Sequence, residues 1–308
     1  ISGTSAGALN GAALKAGLVT GGRQAARENL DWLWAEIGSL SDFGLKQWMF
    51  GFWPMPSEVA RFWADMIPYP VSGALARSFS PYEVPFLADN PLREIAEKFR
   101  FTHVCAGEGP FLAVSATNVR TGKIRVFTGD EIAADVLLAS ACLPTLFRAV
   151  ELHDRRTGQR EAFWDGGYTG NPALFPLYRP DLPHDIVIVN INPLVRRELP
   201  RTAEEIDDRI NEISFNAALL GELRSVNFVR ELIAEGRMQA DRMKDVYVHL
   251  IADDRLMNEL TAETKSSASP ALIARLKEAG RKAAARFLAK HGDTLNVTGS
   301  VDLKALFG

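Results

Sequence analysis

Five residues near the start of the chain, Gly3, Thr4, Ser5, Ala6 and Gly7, constrain what it can fold into more than any other stretch. They stand between an extended stub and a run of Ala, Leu and Gly that reads as a helix. A serine with glycine two positions to each side, at a strand-to-helix junction, is the pattern of a nucleophile elbow. The turn carries the serine through a strained conformation, and the small flanking residues let strand and helix pass closely. The same residues also fit a Gly-rich turn that binds phosphate or nothing, so the pattern needs a second half before it means chemistry.

With 308 residues, 47% of them apolar and 24% charged, the chain can bury a sizeable core as one large domain or two modest ones. A net charge of -3 offers no electrostatic footprint for nucleic acid. Cys105 and Cys142 make neither a disulfide framework nor a paired metal motif, and both read as small buried hydrophobes. No metal or organic cofactor is called for. No apolar run approaches the roughly 18 residues of a membrane span. The chain opens only two residues before Gly3, too few for a strand of about 5 to 6 residues. The expectation is a chain without its natural beginning, whose signal peptide, had there been one, cannot be assessed.

Along the chain, the first helix breaks at Gly21 and Gly22 and resumes with Ala26, Leu30, Leu33, Trp34 and Ile37 at helical spacing. Residues 43–70 are dense in Trp, Phe and Met and are interrupted by prolines that forbid one long helix. Two readings stay open for them: an interfacial lid making peripheral membrane contact, or the packing of a cap over the sheet. A short helix is expected over 91–100. Strands at 111–119 and 123–127 flank Arg120, Thr121 and Gly122, a hairpin turn; a second hairpin joins 148–152 to 161–167. Residues 131–144 read as a helix stopped by Pro144. The near-continuous apolar run at 185–193 reads as a strand buried on both faces, and 246–252 as another buried strand. Helices are expected over 203–235 and 270–289. Helices interleaved with apolar strands give an α/β layered architecture.

A serine hydroxyl needs a base. Of the five histidines, His103, His153, His184 and His291 lie in unpromising settings, and His249 sits inside an apolar strand. His249 reads first as a core histidine. The order Ser5, Asp165, His249 nonetheless matches that of α/β-hydrolase triads, so a triad esterase stays open. The stronger candidate is Asp165, which ends an apolar strand and is followed by Gly166 and Gly167. These two glycines release the carboxylate into a loop and let backbone and substrate approach closely.

Gly3 to Gly7 together with Asp165, Gly166 and Gly167 resemble the patatin-like phospholipase family, and the flanking stretches at 139–152, 168–174 and 185–193 are similar to that family's context. The likeness covers about residues 1–195, and the helical stretch 212–233 resembles the C-terminal extension of a bacterial subset. The resemblance implies an α/β, three-layer fold with a mostly parallel central sheet and helices on both faces. It implies a catalytic domain over 1–200 and a mainly helical extension over 201–308 packed on it. It implies a lipid acyl hydrolase in which Ser5 is the nucleophile and Asp165 the base, with an acyl-ester substrate and a cytoplasmic or peripheral membrane setting. The family's Gly-rich oxyanion loop precedes the serine and has no counterpart here, which leaves the N–H of Ala6 as the one donor that can be named. A non-catalytic lipid-binding module is the remaining alternative.

Overall fold

The computed structural model describes residues 1–40, 80–83, 90–144, 146–239, 242–260 and 269–307. The aromatic segment at 43–70 lies outside the described residues.

The first helix, α1 (Ala6–Leu40), is two helices joined at the expected break. Gly22 has a φ of +67°, and the chain there reverses so that the two halves run back along each other. A Cβ at Gly17 would lie 2.3 Å from the Ala26 Cα, so a glycine is required where the halves touch. Asn29 Nδ2 donates to the Ala13 carbonyl at 3.2 Å, and Trp34 Nε1 to Asn10 Oδ1 at 3.0 Å. The short helix expected over 91–100 is α2 (Leu92–Glu97), and a further one, α3 (Phe101–Val104), comes directly after it.

The main sheet is built around β2 (Ala113–Asn118). One edge pairs along its length with β3 (Ile124–Thr128), the expected hairpin. The other edge is shared. Strand β1 (Ser2–Thr4) runs parallel to β2 and occupies 113–115, while β5 (Gln159–Asp165) runs antiparallel and occupies 116–118. These two strands therefore meet end to end, Thr4 opposite Ser115 and Asp165 opposite Ala116. Strand β4 (Val150–Asp154) completes the second hairpin on the far edge of β5.

Side chains alternate across the sheet. Val114, Ala116, Phe127 and Phe163 fall on one face and form a core with Ala8, Leu9 and Ala12 of α1 and with α4 (Ala134–Ser140). The helix expected to run to Pro144 ends at Ser140. The chain leaves it there because the carbonyl of Cys142 turns to accept the Asp165 N–H at 2.8 Å. Residues 166–178 lie over the other face, tied to it by Thr4 Oγ1 donating to the Gly170 carbonyl and by Thr117 Oγ1 meeting Thr169 Oγ1.

Beyond this lies a second, two-stranded parallel sheet of β6 (Asp185–Val189) and β7 (Tyr247–Ile251). The parallel pairings are β1 with β2 and β6 with β7; the rest are antiparallel, so the α/β fold carries mixed pairing. Strand β6 thus pairs across the boundary expected at residue 200. It also differs from a strand buried on both faces: Ile186 and Ile188 are buried, whereas Val187 is 44% and Val189 70% exposed. The reason is that one face of this sheet packs against Leu219, Leu223 and Val226 of α5 (Ala203–Ala234), while on the other face the Phe287 ring covers His249 of β7 and leaves Val187 and Val189 of β6 exposed. Thr202 caps α5 through a reciprocal box with Glu205. The helices α6 (Asp254–Glu259), α7 (Pro270–His291) and α8 (Leu303–Phe307) complete the described chain. Among the described residues no helix is long and apolar enough to cross a membrane.

Candidate active site

The meeting of β1 and β5 on one edge of β2 decides what comes together. Ser5 follows the last residue of β1 and precedes the first of α1; its φ of +54° lies in the left-handed region that a side chain enters only under strain. Asp165, the last residue of β5, points to the face that α1 covers, as its partner Ala116 does. Both expected residues are thus delivered to one point by strand ends running toward each other.

The elbow is held by contacts of two kinds. A Cβ at Gly3 would lie 2.3 Å from the Gly7 carbonyl oxygen, so strand and helix do pass at glycine distance. Gly7 itself differs from the expectation: a Cβ there would meet nothing within 4 Å among the described residues. Its carbonyl, not its missing side chain, lies at the close approach. The backbone N–H of Ser5 donates to Ser140 Oγ at 2.9 Å, and Ser140 Oγ donates to the Ser115 carbonyl at 2.7 Å. Ser140 is fully buried. Its hydroxyl bridges the Ser5 backbone to the central strand. Motif spacing does not single out Ser140, although a serine in a helix of Leu, Val and Ala is a signal of its own.

Asp165 is 1% exposed. Its Oδ1 accepts the Gly167 N–H at 2.7 Å, and its Oδ2 is buried without a hydrogen-bond partner. The Ser5 hydroxyl is near enough to favour the charged carboxylate, though no hydrogen bond of full geometry joins them at rest. Burial dominates and pushes the carboxyl up to about 6, against the opposing pull of the Gly167 N–H and the Ser5 hydroxyl. Alternation sends the neighbouring Trp164 to the opposite face of the sheet. Tyr168 does stand close: its phenol is pushed up by burial and then by Asp165.

The two glycines are small for two different neighbours. A Cβ at Gly166 would lie 2.2 Å from the Ser115 carbonyl oxygen and 2.8 Å from Thr4 Cγ2. At Gly167 it would lie 2.2 Å from Cε1 of Phe215, on α5. The close approach expected of substrate is thus occupied by the protein's own β2 backbone and by an aromatic ring.

The N–H of Ala6 opens α1 and meets no acceptor among the described residues; those of Ala8 and Leu9 turn back to the Ser5 carbonyl. This leaves a donor, at the positive end of a helix, beside the serine.

His249 is excluded as the base. Its fully buried ring has Nε2 2.8 Å from Asp185 Oδ1 and Nδ1 3.1 Å from Ser300 Oγ, both in the second sheet and its surroundings. Both nitrogens are committed, and its acid is Asp185 rather than Asp165. The triad reading therefore fails. Cys105 and Cys142 are free thiols, Cys142 buried and Cys105 partly so. Among the described residues no group of His, Cys, Asp and Glu could hold a metal ion.

The model of the patatin-like phospholipase family matches residues 1–178. The chain belongs to that family. The match spans the serine elbow, the Asp-Gly-Gly turn and the whole main sheet, and it stops before α5. A comparison with curated proteins gave no match. Patatin-like phospholipases are lipid acyl hydrolases, and membership implies a lipid substrate for this chain.

Proposed function

We propose that this patatin-like protein cleaves lipid acyl esters through an acyl-enzyme, with Ser5 as nucleophile and Asp165 as base. The observation that carries the reading is the pairing of a strained serine with a buried carboxylate whose Oδ2 has no other partner. A buried acceptor without a partner is costly, and a site built around one has a use for it.

In the first half-reaction Asp165 takes the Ser5 hydroxyl proton as Oγ bonds to the ester carbonyl carbon. The negative charge that develops on the carbonyl oxygen faces the Ala6 N–H at the start of α1. Collapse breaks the ester bond, and the proton on Asp165 passes to the departing alkoxide. In the second half-reaction the carboxylate takes a proton from water as the water oxygen attacks the acyl carbon, and returns it to Ser5. A carboxyl near 6 is better matched to this exchange than one at the ordinary value of about 3.9.

The test uses a short-chain aryl ester and a fluorophosphonate probe. Ser5→Ala and Asp165→Asn should each remove nearly all turnover and labelling, with the double variant little worse than either, because the two groups act as a unit. Multiplicative losses, or labelling that survives Ser5→Ala, would refute the dyad.

A further inference from the structure

Gly167 does not have a positive φ, so its backbone conformation is open to other residues. What forbids a side chain there is Phe215, whose Cε1 and Cδ1 would lie 2.2 and 2.4 Å from the added Cβ. The same point is 2.9 Å from Asp165 Oδ1. Ring edge and carboxylate oxygen therefore flank a single atom's width, and no water fits between them. A glycine at 167 is what lets an aromatic ring from α5 reach the carboxylate.

We infer that Phe215 is the shield of the base: its ring keeps water off the Asp165 carboxylate. The inference deepens the proposed function and takes the role of Asp165 from it. It assigns a part of the reacting centre to a helix beyond the 1–178 region that the family model matches.

The ring is fixed in place. It packs against Tyr168, with centroids 5.3 Å apart. On one side of it α5 is tied down by Glu212, which takes Arg196 from the preceding loop at 2.6 Å. On the other side Glu222 accepts the N–H groups of Leu174 and Phe175 at 2.9 and 2.7 Å. Asn216, next to Phe215, donates to the Pro193 carbonyl.

The groups facing Asp165 from the surrounding elements are few. The start of α1 contributes the Ser5 hydroxyl; the chain after α4 contributes the Cys142 thiol; the turn after β5 contributes the Gly167 N–H and the Tyr168 phenol. Burial pushes the thiol up to about 12 and raises the phenol, so both are neutral where Asp165 titrates. From α5 comes the apolar ring of Phe215, and among the described residues no charged group is a cause of the Asp165 shift. Exclusion of water, rather than a neighbouring charge, is what acts on the carboxylate, in agreement with burial as the largest cause of its shift.

Phe215 acts through Asp165 and is a positioning residue, so the test reads the proton of Asp165 directly. An infrared pH titration isolates the Asp165 carboxyl band by subtracting the Asp165→Asn spectrum. The wild-type midpoint is expected near 6. Phe215→Ala should lower it by about one pH unit or more, a tenfold weaker hold on the proton. Phe215→Gln, which keeps the bulk and brings a polar group, should do the same if the alanine variant folds poorly. Phe215→Leu should stay near the wild type. Midpoints of the Ala and Gln variants that match the wild type, or a Leu variant shifted as far as Ala, would overturn the inference. Fluorophosphonate labelling of Ser5 across pH separates the two claims. An infrared shift without any labelling of the wild type would uphold the shield and refute the acyl-transfer reading.

Discussion

The backbone N–H of Ser5 donates to the hydroxyl of Ser140 at 2.9 Å, across 135 positions of sequence. Ser140 passes the connection on to the Ser115 carbonyl, so a single hydroxyl ties the strained Ser5 to the central strand. A φ of +54° at a non-glycine persists only where the surroundings over-determine it.

Ser140→Ala should therefore act on both stability and rate. It leaves the half-buried Ser5 N–H without its acceptor, at a cost of about 1 kcal/mol. Freed of its anchor, Ser5 relaxes from the left-handed region and its Oγ moves off line. The expected outcome is a lower urea midpoint and a kcat reduced by more than KM is raised, measured on an aryl ester. A variant that loses stability yet keeps the wild-type kcat would show that the elbow is held by other contacts.

Asp165 is expected to cost stability at neutral pH. Its folded pKa, about 6, lies above the unfolded value near 3.8. The folded state thus holds the proton more tightly, and stability falls as pH rises from about 4 through 6. The shift of about two units corresponds to on the order of 3 kcal/mol at neutral pH. Asp165→Asn, which keeps an acceptor for the Gly167 N–H, should be more stable than wild type at pH 7.5, and the gain should vanish toward pH 4. Chemical denaturation at the two pH values checks this, and a gain independent of pH would contradict it. In the active protein, kcat/KM should fall about tenfold per pH unit below 6, as the base takes up its proton.

Much of this arrangement is legible in the residues themselves. The two hairpins, the break at Gly21 and Gly22, the elbow and the Asp-Gly-Gly turn are local patterns, and each appears where its turn residues put it. Residues that act across long separations are not legible in that way. Ser140 is read as one polar residue in a buried helix until the fold brings β1 beside it, and Phe215 as one apolar residue of a long helix until α5 lies over Gly167. The meeting of β1 and β5 on a single edge of β2 is likewise a matter of register. A strand of three residues carries too little pattern to predict its partner.

The glycines of the two motifs should separate by neighbour rather than by motif. Gly166→Ala places a methyl 2.2 Å from the Ser115 carbonyl oxygen, a backbone atom that cannot turn aside. It should destabilise by several kcal/mol or prevent folding, as overpacking against rigid neighbours costs about 1–3 kcal/mol and occasionally more. Gly7→Ala places its methyl where no described atom lies within 4 Å, in the first turn of α1. Alanine is favoured over glycine in a helix by about 1 kcal/mol, so this variant should melt no lower than wild type. Equal destabilisation of the two would show that Gly7 is also needed for close packing.

His249 gives the sharpest contrast between a structural and a catalytic group. Its ring is fully buried, set edge-on to Phe287 at 5.8 Å, with Asp185 on one nitrogen and Ser300 on the other. Asp185 in turn accepts the Asn296 N–H at 2.9 Å, so the histidine belongs to a network that ties the end of the chain to the second sheet. Removing the ring leaves the Asp185 carboxylate short of a partner, at a cost of about 1–3 kcal/mol. None of that network touches Ser5, Asp165, Ser140 or Ala6. His249→Ala should therefore lower the melting temperature, while the fraction that remains folded labels at Ser5 with the wild-type rate constant. The measurement pairs a thermal melt with fluorophosphonate labelling at a temperature where both proteins are folded. A rate constant lowered by about 10³ or more, the scale on which enzymes lose rate when a general base is removed, would make His249 the base after all. An unchanged one leaves Asp165 as the proton acceptor for Ser5.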